Sequence, residues 1–199
     1  MSATGHAGHG AATVAVAATE AAAAVCPAAW GSEDVAPATL RKLFGAYPTG
    51  VAIVTSRSVE GRKVGLTINS FASLSLDPPL VLWSLVNHSP SLAVFRDCRH
   101  FAINILAGRH EELARRFANP SVVDKFESVP VQETPEGVPA LDGALTTLVC
   151  ALDHARTVGD HLLMVGRVVR AATQPGDPLV FHAGRFVSIT APHPANLPT

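Results

Sequence analysis

The sequence predicts a mainly β fold, an antiparallel barrel with a few short peripheral helices, and three observations support this prediction. Apolar runs of strand length recur along the chain between short turn-forming segments. Helical spacing of apolar residues is confined to a few short stretches. The chain has 199 residues, 48% of them hydrophobic, which is enough for one good-sized core. Many strands with short turns and few helices indicate a closed or nearly closed antiparallel sheet.

The first 36 residues differ in composition from the rest of the chain. They are rich in alanine and glycine and contain no Lys or Arg, so they resemble neither a secretory signal nor a transit peptide. We predict that residues 1–36 form a disordered extension, that residues 37–190 form one folded domain, and that residues 191–199 form a C-terminal tail.

The predicted domain opens with a helix and a hairpin. Apolar residues between Leu40 and Tyr47 recur at helical spacing, and Pro37 suits the first turn of a helix. The Pro-Thr-Gly that follows ends this helix. Two strands come next, one at residues 51–55 and one from residue 65 onward, and the polar turn between them predicts a hairpin.

The middle of the chain predicts further strands and helices. Strands at residues 80–86 and 100–106 flank a short helix, which we expect Ser89 to cap. Another helix is predicted at residues 109–118. Residues 119–143 are rich in turn formers, which predicts a long irregular connection of the kind that covers a site as a lid. Three or four closely spaced strands are predicted from apolar segments at residues 144–155, 161–172, 178–183 and 184–189.

The overall charge and the cysteines exclude several functions. Lys and Arg number 15 against 16 Asp and Glu, a formal net charge of -1, so no basic field is available to attract nucleic acid or an acidic membrane. No apolar run reaches the roughly 18 to 20 residues that span a bilayer. Cys26, Cys98 and Cys150 are far apart and form no CxxC, which argues against a disulfide framework and a zinc site. We therefore expect a soluble cytoplasmic protein with no bound metal.

Residues 65–80, GLTINSFASLSLDPPL, combine strand alternation with many small hydrogen-bonding side chains. Counting by twos places one set on a single polar face, namely Thr67, Asn69, Phe71, Ser73 and Ser75. The Asp-Pro-Pro that follows stops the strand. Alternation alone is typical of a half-buried strand with one solvated face, whereas the polar side chains would also suit a polar ligand.

A second candidate is Gly159-Asp160-His161, at the start of the strand predicted at residues 161–172. A histidine at a strand start can donate to a ligand or stack beside it, while the glycine permits close approach. The same residue types commonly form a plain turn with a surface histidine, and the similar pair Asp153-His154, seven residues earlier, shows that such pairs are common. The sequence contains neither GxGxxG nor GxxxxGK[ST], so a bound nucleotide would be held by backbone amides, hydroxyls and scattered arginines.

Several segments together resemble one family, the short-chain flavin reductases that serve as the reductase component of two-component flavin-dependent monooxygenases. The segments are YPTGVAIVT at 47–55, GLTINSFASLSLDPPL at 65–80, FAINIL at 101–106, LARRFA at 113–118, DKF at 124–126, GDH at 159–161, VGRV at 165–168 and PLVFHAGRF at 178–186. Their order and spacing hold over roughly residues 38–190, so the resemblance covers the predicted domain.

The resemblance implies an FMN-binding split β-barrel that forms a homodimer, with flavin sites near the subunit interface. It also implies hydride transfer from NADH or NADPH to FMN or FAD, and delivery of the reduced flavin to a separate monooxygenase. The alternative within the same fold is a flavoprotein that keeps its flavin as an electron carrier or flavin store, without productive NAD(P)H turnover.

The resemblance also implies roles for particular residues. Flavin contacts would come from Thr49, Gly50, Val51, Thr67, Asn69, Ser70, Phe71, Ser73, Ser75, Asn87, Ser89 and Ser91. The element Gly159, Asp160 and His161 would place the histidine beside the nicotinamide and the flavin, where it orients the reactants and acts electrostatically. Because the cofactors carry the chemistry, no nucleophile or metal is required.

Two of these implied contacts conflict with regular strand geometry. Asn69 and Ser70 are adjacent, so both can face the ligand only if a bulge or twist interrupts the strand near Ser70. The alternative for Ser70 is a buried hydroxyl bonded to the backbone. Second-rank candidates for contact with the nicotinamide or a phosphate, equally consistent with surface charges or core aromatics, are Lys125, Phe126, Arg185 and Phe186. Trp83 lies in an apolar strand and is expected in the core.

Overall fold

The computed structural model describes residues 35–189 of the chain. The extension predicted at residues 1–36 therefore lies almost wholly outside the described residues, and the predicted tail at residues 191–199 lies wholly outside them. No helix within residues 35–189 has the length and apolar character needed to cross a membrane.

The described part of the chain is mainly β, as predicted. The strands are β1 (Thr49–Gly50), β2 (Ala52–Arg57), β3 (Lys63–Ile68), β4 (Ala72–Leu76), β5 (Pro79–Val86), β6 (His100–Ile105), β7 (Val131–Glu133), β8 (Pro139–Leu141), β9 (Thr146–Val158), β10 (His161–Thr173), β11 (Leu179–His182) and β12 (Arg185–Ser188). The helices are α1 (Pro37–Phe44), α2 (Leu92–Asp97) and α3 (Glu111–Ala118), the last preceded by a 3-10 turn at Gly108–His110. All three helices predicted from the sequence are confirmed.

One large antiparallel sheet forms the body of the molecule. Its seven strands run in the order β3-β2-β6-β9-β10-β5-β4. The two edge strands, β3 and β4, are consecutive in the chain and are joined by residues 69–71 alone. Because so short a link spans from one edge to the other, the sheet must curl until its edges approach each other. This arrangement confirms the split barrel.

Two smaller sheets accompany the large one. Strand β11 pairs with both β1 and β12, while β7 and β8 form a separate hairpin. Val51 connects the large sheet to the first of these small sheets, since its N–H donates to the Leu179 carbonyl (3.2 Å) and its carbonyl accepts from the Leu106 N–H (3.0 Å). The segment carrying Thr49, Gly50 and Val51 is therefore hydrogen-bonded through its backbone both to β11 and to the residue that follows β6.

The barrel interior is filled by apolar side chains from most of its strands. Trp83 is fully buried and lies edge-to-face with Phe95 (centroids 5.1 Å apart) and Phe101 (5.8 Å). This confirms Trp83 as a core residue. A second cluster under α3 contains Val51, and Phe117 and Phe126 pack against each other in it.

Asn104 on β6 is fully buried and links four strands through its amide. Its Nδ2 donates to the Ile53 carbonyl (3.0 Å) and to the Thr55 hydroxyl (3.2 Å), both on β2. Its Oδ1 accepts from the Leu141 N–H on β8 (2.9 Å) and from the Thr147 hydroxyl on β9 (3.2 Å). These bonds fasten the β7–β8 hairpin to the barrel.

Three local predictions are corrected by the structure. Residues 65–80 do not form one strand, because the chain leaves β3 after Ile68 and re-enters the sheet at Ala72, on the opposite edge. Helix α2 begins at Leu92, and Ser91 rather than Ser89 occupies its N-cap position. Residues 119–143 contain the β7–β8 hairpin and are therefore not irregular throughout.

Candidate functional site

Two turns that are far apart in the sequence meet at one rim of the barrel. Strands β5 and β10 pair so that His161 lies opposite Val86, which brings the turn after β5 against the turn before β10. The Asn87 N–H donates to the Asp160 carbonyl (2.9 Å), and the Asn87 side-chain amide donates to the Gly159 carbonyl (3.3 Å). The predicted site residues Asn87, Gly159, Asp160 and His161 therefore form one cluster.

The backbone conformation at position 159 of this cluster favours glycine. Gly159 has a φ of +58°, in the left-handed region that other residues adopt at a cost. The reversal between β9 and β10 occurs here, and it sets the direction in which the next two side chains leave the rim.

Asp160 orients the His161 ring. The His161 Nδ1 lies 2.7 Å from the Asp160 Oδ1, and this hydrogen bond is the main reason that the pKa of the Asp160 carboxyl lies below its usual value. An ionised carboxylate only accepts hydrogen bonds, so Nδ1–H is the donor. The ring thereby presents Nε2 away from the carboxylate, and the His161 side chain is 39% exposed. A ligand at the rim can thus reach a histidine of defined orientation.

The link between the edge strands resolves the conflict between Asn69 and Ser70. Both lie outside regular strand structure, so the alternation of side chains does not apply to them. Ser70 accepts a hydrogen bond from the Ser84 N–H (3.0 Å) and donates to the Ser84 carbonyl (3.2 Å), while Asn69 is exposed. Ser70 thus ties the link to β5, and Phe71 packs against the main core. Of the three residues, Asn69 is the one whose exposed side chain a ligand can reach.

Thr49 has a buried hydroxyl with no protein partner. Its Oγ1 makes no hydrogen bond to any residue within the described range 35–189. A buried hydroxyl without a partner is costly, and a polar ligand group is one way to satisfy it. Its neighbour Gly50 is exposed and its backbone faces open space, since a Cβ added there would meet no atom within 4 Å. The Thr49-Gly50 segment therefore fits a bound polar molecule.

The remaining predicted hydroxyls have different surroundings. The Thr67 hydroxyl donates to the Ala114 carbonyl at 2.7 Å, which ties β3 to α3 and leaves only the oxygen lone pairs for another partner. Ser73 and Ser75 lie on the edge strand β4, where the register shifts between them. Ser73 is exposed and Ser75 is half-buried. The structure does not bring these two serines to the cluster around Asn87.

A groove of about 1050 Å³ runs beside β3. Its walls are β3, the segment at residues 85–94 and the segment at residues 117–126. Three of the predicted flavin contacts, Thr67, Ser89 and Ser91, line it, as do the second-rank candidates Lys125 and Phe126. The turn at residues 87–91 therefore borders both the groove and the cluster around His161.

Sequence reasoning missed two cations of this groove. Arg62 and Lys63 line the groove at the start of β3, and no motif in the sequence distinguishes them from ordinary surface cations. Their position, immediately before the polar strand, was the only indication available. Arg185 and Phe186 do not line the groove, and Phe186 lies instead beneath the Arg115 guanidinium at 4.9 Å.

Comparison with known proteins identifies the family. Residues 44–190 match the family described as "Flavin reductase like domain". The chain is 42% identical over 148 residues to the FMN reductase (NADH) SmoA of Agrobacterium fabrum, covering 74% of this chain and 83% of the relative. It is 35% identical over 159 residues to HsaB, the reductase subunit of a flavin-dependent monooxygenase of Rhodococcus jostii, covering 79% of this chain and 80% of the relative.

Solved structures agree with this assignment. The NADH:FAD oxidoreductase SgcE6 of Streptomyces globisporus, solved with NAD and FAD fragments, superposes with a TM-score of 0.74 at 36% identity, covering 81% of this chain and 98% of that structure. The flavin reductase PheA2 superposes with a TM-score of 0.72 at 30% identity, covering 79% of this chain and 100% of that structure. This chain belongs to the flavin reductase like domain family.

Proposed function

We propose that this chain is an NAD(P)H-dependent flavin reductase, which transfers a hydride from NADH or NADPH to FMN or FAD and supplies reduced flavin to a separate monooxygenase. The observation that carries the proposal is the meeting of the Asn87 turn with the Gly159-Asp160-His161 turn at the rim of the barrel. Relatives named for the same activity support it, among them an NADH-dependent flavin reductase of Rhodococcus at 39% identity. The reductase component of a trigonelline monooxygenase is also 39% identical.

The protein's task in such a reaction is to bind and align. When bound, a flavin accepts the hydride at its ring, and the nicotinamide donates it. The residues we propose for the flavin are Thr49, whose hydroxyl has no hydrogen-bond partner among residues 35–189, Gly50, whose backbone faces open space, and the exposed Asn69. Val51 is buried and its N–H and carbonyl are bonded to Leu179 and Leu106, so its part in the proposal is to hold Gly50 in place. Ser89 and Ser91 lie where the groove meets the rim, and their hydroxyls suit a phosphate, because a hydroxyl donates to phosphate oxygens.

In this proposal, His161 helps to orient the nicotinamide against the flavin. Asp160 holds its ring through Nδ1, so that Nε2 is presented to the nicotinamide at a fixed angle. Aligning two reactants within contact distance supplies much of the rate enhancement in a direct transfer. No group of the protein needs to form a covalent bond.

The chain offers a matched pair of variants to test the role of His161. His154 forms the same kind of pair with its preceding aspartate, Nδ1 to Oδ2 at 2.8 Å, but on β9 away from the Asn87 turn. In single-turnover reduction, His161→Ala should slow hydride transfer by about tenfold or more while flavin affinity is retained. His154→Ala should leave both unchanged. An unaltered reduction rate in His161→Ala would remove this residue from the site.

Steady-state oxidation of NADH and of NADPH with added FMN, FAD and riboflavin tests the activity itself. A flavin reductase oxidises the nicotinamide only when flavin is present and turns over many equivalents of it. If no flavin-dependent oxidation occurs, the chain is instead a flavoprotein that retains its flavin without productive turnover.

We also propose that the chain is a homodimer. Helix α1 exposes Phe44 (68%), the turn after it exposes Tyr47 (75%), and the edge strand β4 exposes Leu76 (93%). Large apolar side chains on one helix and on a strand edge that pairs with no further strand among residues 35–189 favour a protein partner, and a second copy is the partner that the resemblance implies. Light scattering after gel filtration should give twice the mass of one chain, and a monomeric mass would contradict the proposal.

A cytoplasmic location is proposed from the thiols. Cys98 and Cys150 are both free in the described part of the chain. Free cysteines are typical of a reducing compartment, which is also where NAD(P)H is supplied. Fractionation of the native host should place the protein with soluble cytoplasmic markers.

A further inference from the structure

Helix α2 borders a second cavity in addition to the groove beside β3. This cavity has a volume of about 630 Å³, within the range of roughly 300 to 1,000 Å³ that is typical of small-molecule sites. Its walls are the turn between β2 and β3, helix α2 with the residues that lead from it into β6, and the turn between β7 and β8. None of the residues proposed above for the flavin or the nicotinamide lines it.

One arginine joins two walls of this second cavity. The Arg57 Nη1 donates to the Gly61 carbonyl (2.7 Å) after β2, and its Nε donates to the Gly137 carbonyl (3.2 Å) before β8. Its Nη2 pairs with the Glu133 carboxylate on β7. All three guanidinium nitrogens of Arg57 are therefore engaged by the protein, so this residue shapes the cavity and is not the group that would bind a ligand.

The acidic side chains of the second cavity are offset by other groups. Asp97 is paired with Arg96 (3.0 Å) and Glu136 with Arg170 (3.0 Å), and neither of these arginines lines the cavity. The third acidic side chain, Glu60, is exposed, so water screens its charge. The acidic groups therefore add little unbalanced negative charge to the cavity.

Two donors that line the second cavity have no acidic partner. The side chains of Arg99 and His100 make no ion pair within 4.0 Å among residues 35–189. Their backbone is held in place, since the Arg99 carbonyl accepts from the Leu152 N–H (3.0 Å). The His100 carbonyl accepts from the buried Ser56 hydroxyl (2.9 Å). Because a guanidinium forms two parallel hydrogen bonds to a carboxylate, these unmatched donors favour an organic acid.

The second cavity also has apolar surface on all three of its walls. The apolar side chains that line it are Val59, Ala93, Val94, Pro135 and Val138. A small inorganic anion would leave this surface without a contact. A carboxylate on a hydrocarbon body would use the donors and the apolar surface together.

We propose that this second cavity is a binding site for a small organic acid with one carboxylate and an apolar body, and that its occupancy is coupled through α2 to the groove. Arg99 and His100 contact the carboxylate, and the apolar body lies against α2. The binding part of the proposal needs no flavin chemistry, whereas the coupling part rests on the proposed flavin reductase function.

Helix α2 supplies the physical connection between the two cavities. Val94 lines both of them, and Ala93 beside it lines the second cavity. The N-cap residue Ser91, two positions before Ala93, lines the groove at the place proposed for a phosphate. A ligand against Ala93 and Val94 therefore contacts the same helical turn that positions Ser91, which gives the ligand a way to alter flavin affinity.

Isothermal titration of the full chain with cyclohexanecarboxylate, in the absence of flavin, tests the binding site. Saturable binding of one equivalent per chain is expected, and the neutral cyclohexanecarboxamide should bind at least threefold more weakly. Arg99→Gln should weaken binding of the acid by about three- to tenfold, the range for one partly exposed charged hydrogen bond. Arg167→Gln is the matched control, because Arg167 is also exposed but does not line the cavity, and it should change nothing.

A second variant tests the apolar part of the site without removing a charge. Ala93 is exposed on α2, so Ala93→Leu suits the helix while it fills part of the cavity. This variant should weaken binding of the acid and the amide alike. Three results would overturn the binding site: no saturable binding, equal affinity in wild type and Arg99→Gln, or binding that Arg99→Gln leaves unchanged and that added FMN displaces, which would place the acid in the groove.

Steady-state turnover with and without cyclohexanecarboxylate tests the coupling. The acid should change the KM for FMN by at least twofold in wild type and in Arg167→Gln, and should have no effect in Arg99→Gln. An unchanged KM in wild type, at an acid concentration that saturates the titration, would overturn the coupling. Failure of the flavin reductase proposal is distinguishable from this result, because the chain would then show no flavin-dependent turnover even without the acid, while the titration would still decide the binding site.

Discussion

Replacement of Asn104 by leucine should destabilise the protein strongly, because the amide serves four strands from a fully buried position. Leucine has the same branching at Cγ and is somewhat larger, but it neither donates nor accepts. The Leu141 N–H would lose its acceptor at 2.9 Å and the Ile53 carbonyl would lose a donor at 3.0 Å, both in the interior. A buried polar group without a partner costs about 1 to 3 kcal/mol, so we expect Asn104→Leu to lower the free energy of unfolding by about 2 to 4 kcal/mol. For comparison, the whole free energy of unfolding of a native protein is typically about 5 to 15 kcal/mol.

Urea denaturation, followed by tryptophan fluorescence at one fixed protein concentration, measures this loss. Thr147→Val is the control, because it removes one bond to the same amide (3.2 Å) and should cost only about 0.5 to 1 kcal/mol. Since Asn104 also anchors the β7–β8 hairpin, limited proteolysis should cut Asn104→Leu sooner within residues 119–143. A loss below about 1 kcal/mol, or one no larger than that of Thr147→Val, would refute the reasoning.

Three further predictions concern the rim, the thiols and the core. Asp160→Asn should lower the single-turnover rate by less than His161→Ala does, since the ring remains but loses its ionic partner at 2.7 Å. Burial raises the pKa of Cys98 to about 11 and that of Cys150 to about 12, so neither thiol should react with iodoacetamide at pH 8 until the protein is unfolded. Gly166→Ala should cost about 1 to 3 kcal/mol of stability, because the added Cβ would clash with the buried Phe101 ring and lie 2.9 Å from the Cys150 Cβ.

The raised pKa values of Cys98 and Cys150 also predict that the stability of the protein depends on pH. A folded-state pKa above the ordinary value of 9.0 means that the folded protein holds its protons more tightly than the unfolded chain does. This contribution is fully present below pH 9 and is lost as the pH rises toward 11 and 12. Cys150→Ala should therefore flatten the alkaline limb of a plot of stability against pH, and an unchanged limb would contradict the assignment.

A second glycine provides the control for Gly166→Ala. Gly108→Ala adds a carbon that comes no closer than 4.0 Å to its surroundings, so it should leave stability within about 0.5 kcal/mol of wild type. Equal losses in the two variants would contradict a steric origin for the effect at Gly166.

Local patterns were enough to predict most of the elements. Helices α1 and α3 and the hairpin of β2 and β3 follow from apolar spacing, a proline at a helix start and polar turns, all of which act over a few residues. The Gly159-Asp160-His161 turn and the hydroxyl-rich strand were also visible in this way. The tail regions and the roles of individual flavin contacts remain predictions.

The same local reasoning failed where the fold depends on distant pairing. Alternation continues from Gly65 to Leu76 as if there were one strand, yet β3 and β4 lie on opposite edges of the sheet. Nothing within the segment encodes the barrel closure that requires residues 69–71 to leave the sheet. The sequence also does not indicate that the Ser70 hydroxyl bonds to both the N–H and the carbonyl of Ser84, because the two residues lie 14 positions apart.

The sequence by itself determined that this protein is mainly β, that it carries no basic field, and which two segments hold its candidate site. Those properties depend on composition, on side-chain period and on a recognisable order of motifs. Only the tertiary structure decided that Asn87 meets Gly159 across 72 positions, that Thr49 is left without a partner among the described residues, and that Arg62, Lys63 and Lys125 line one groove. The reason is physical: strand pairing between distant segments sets these distances, and no local preference of the chain contains them.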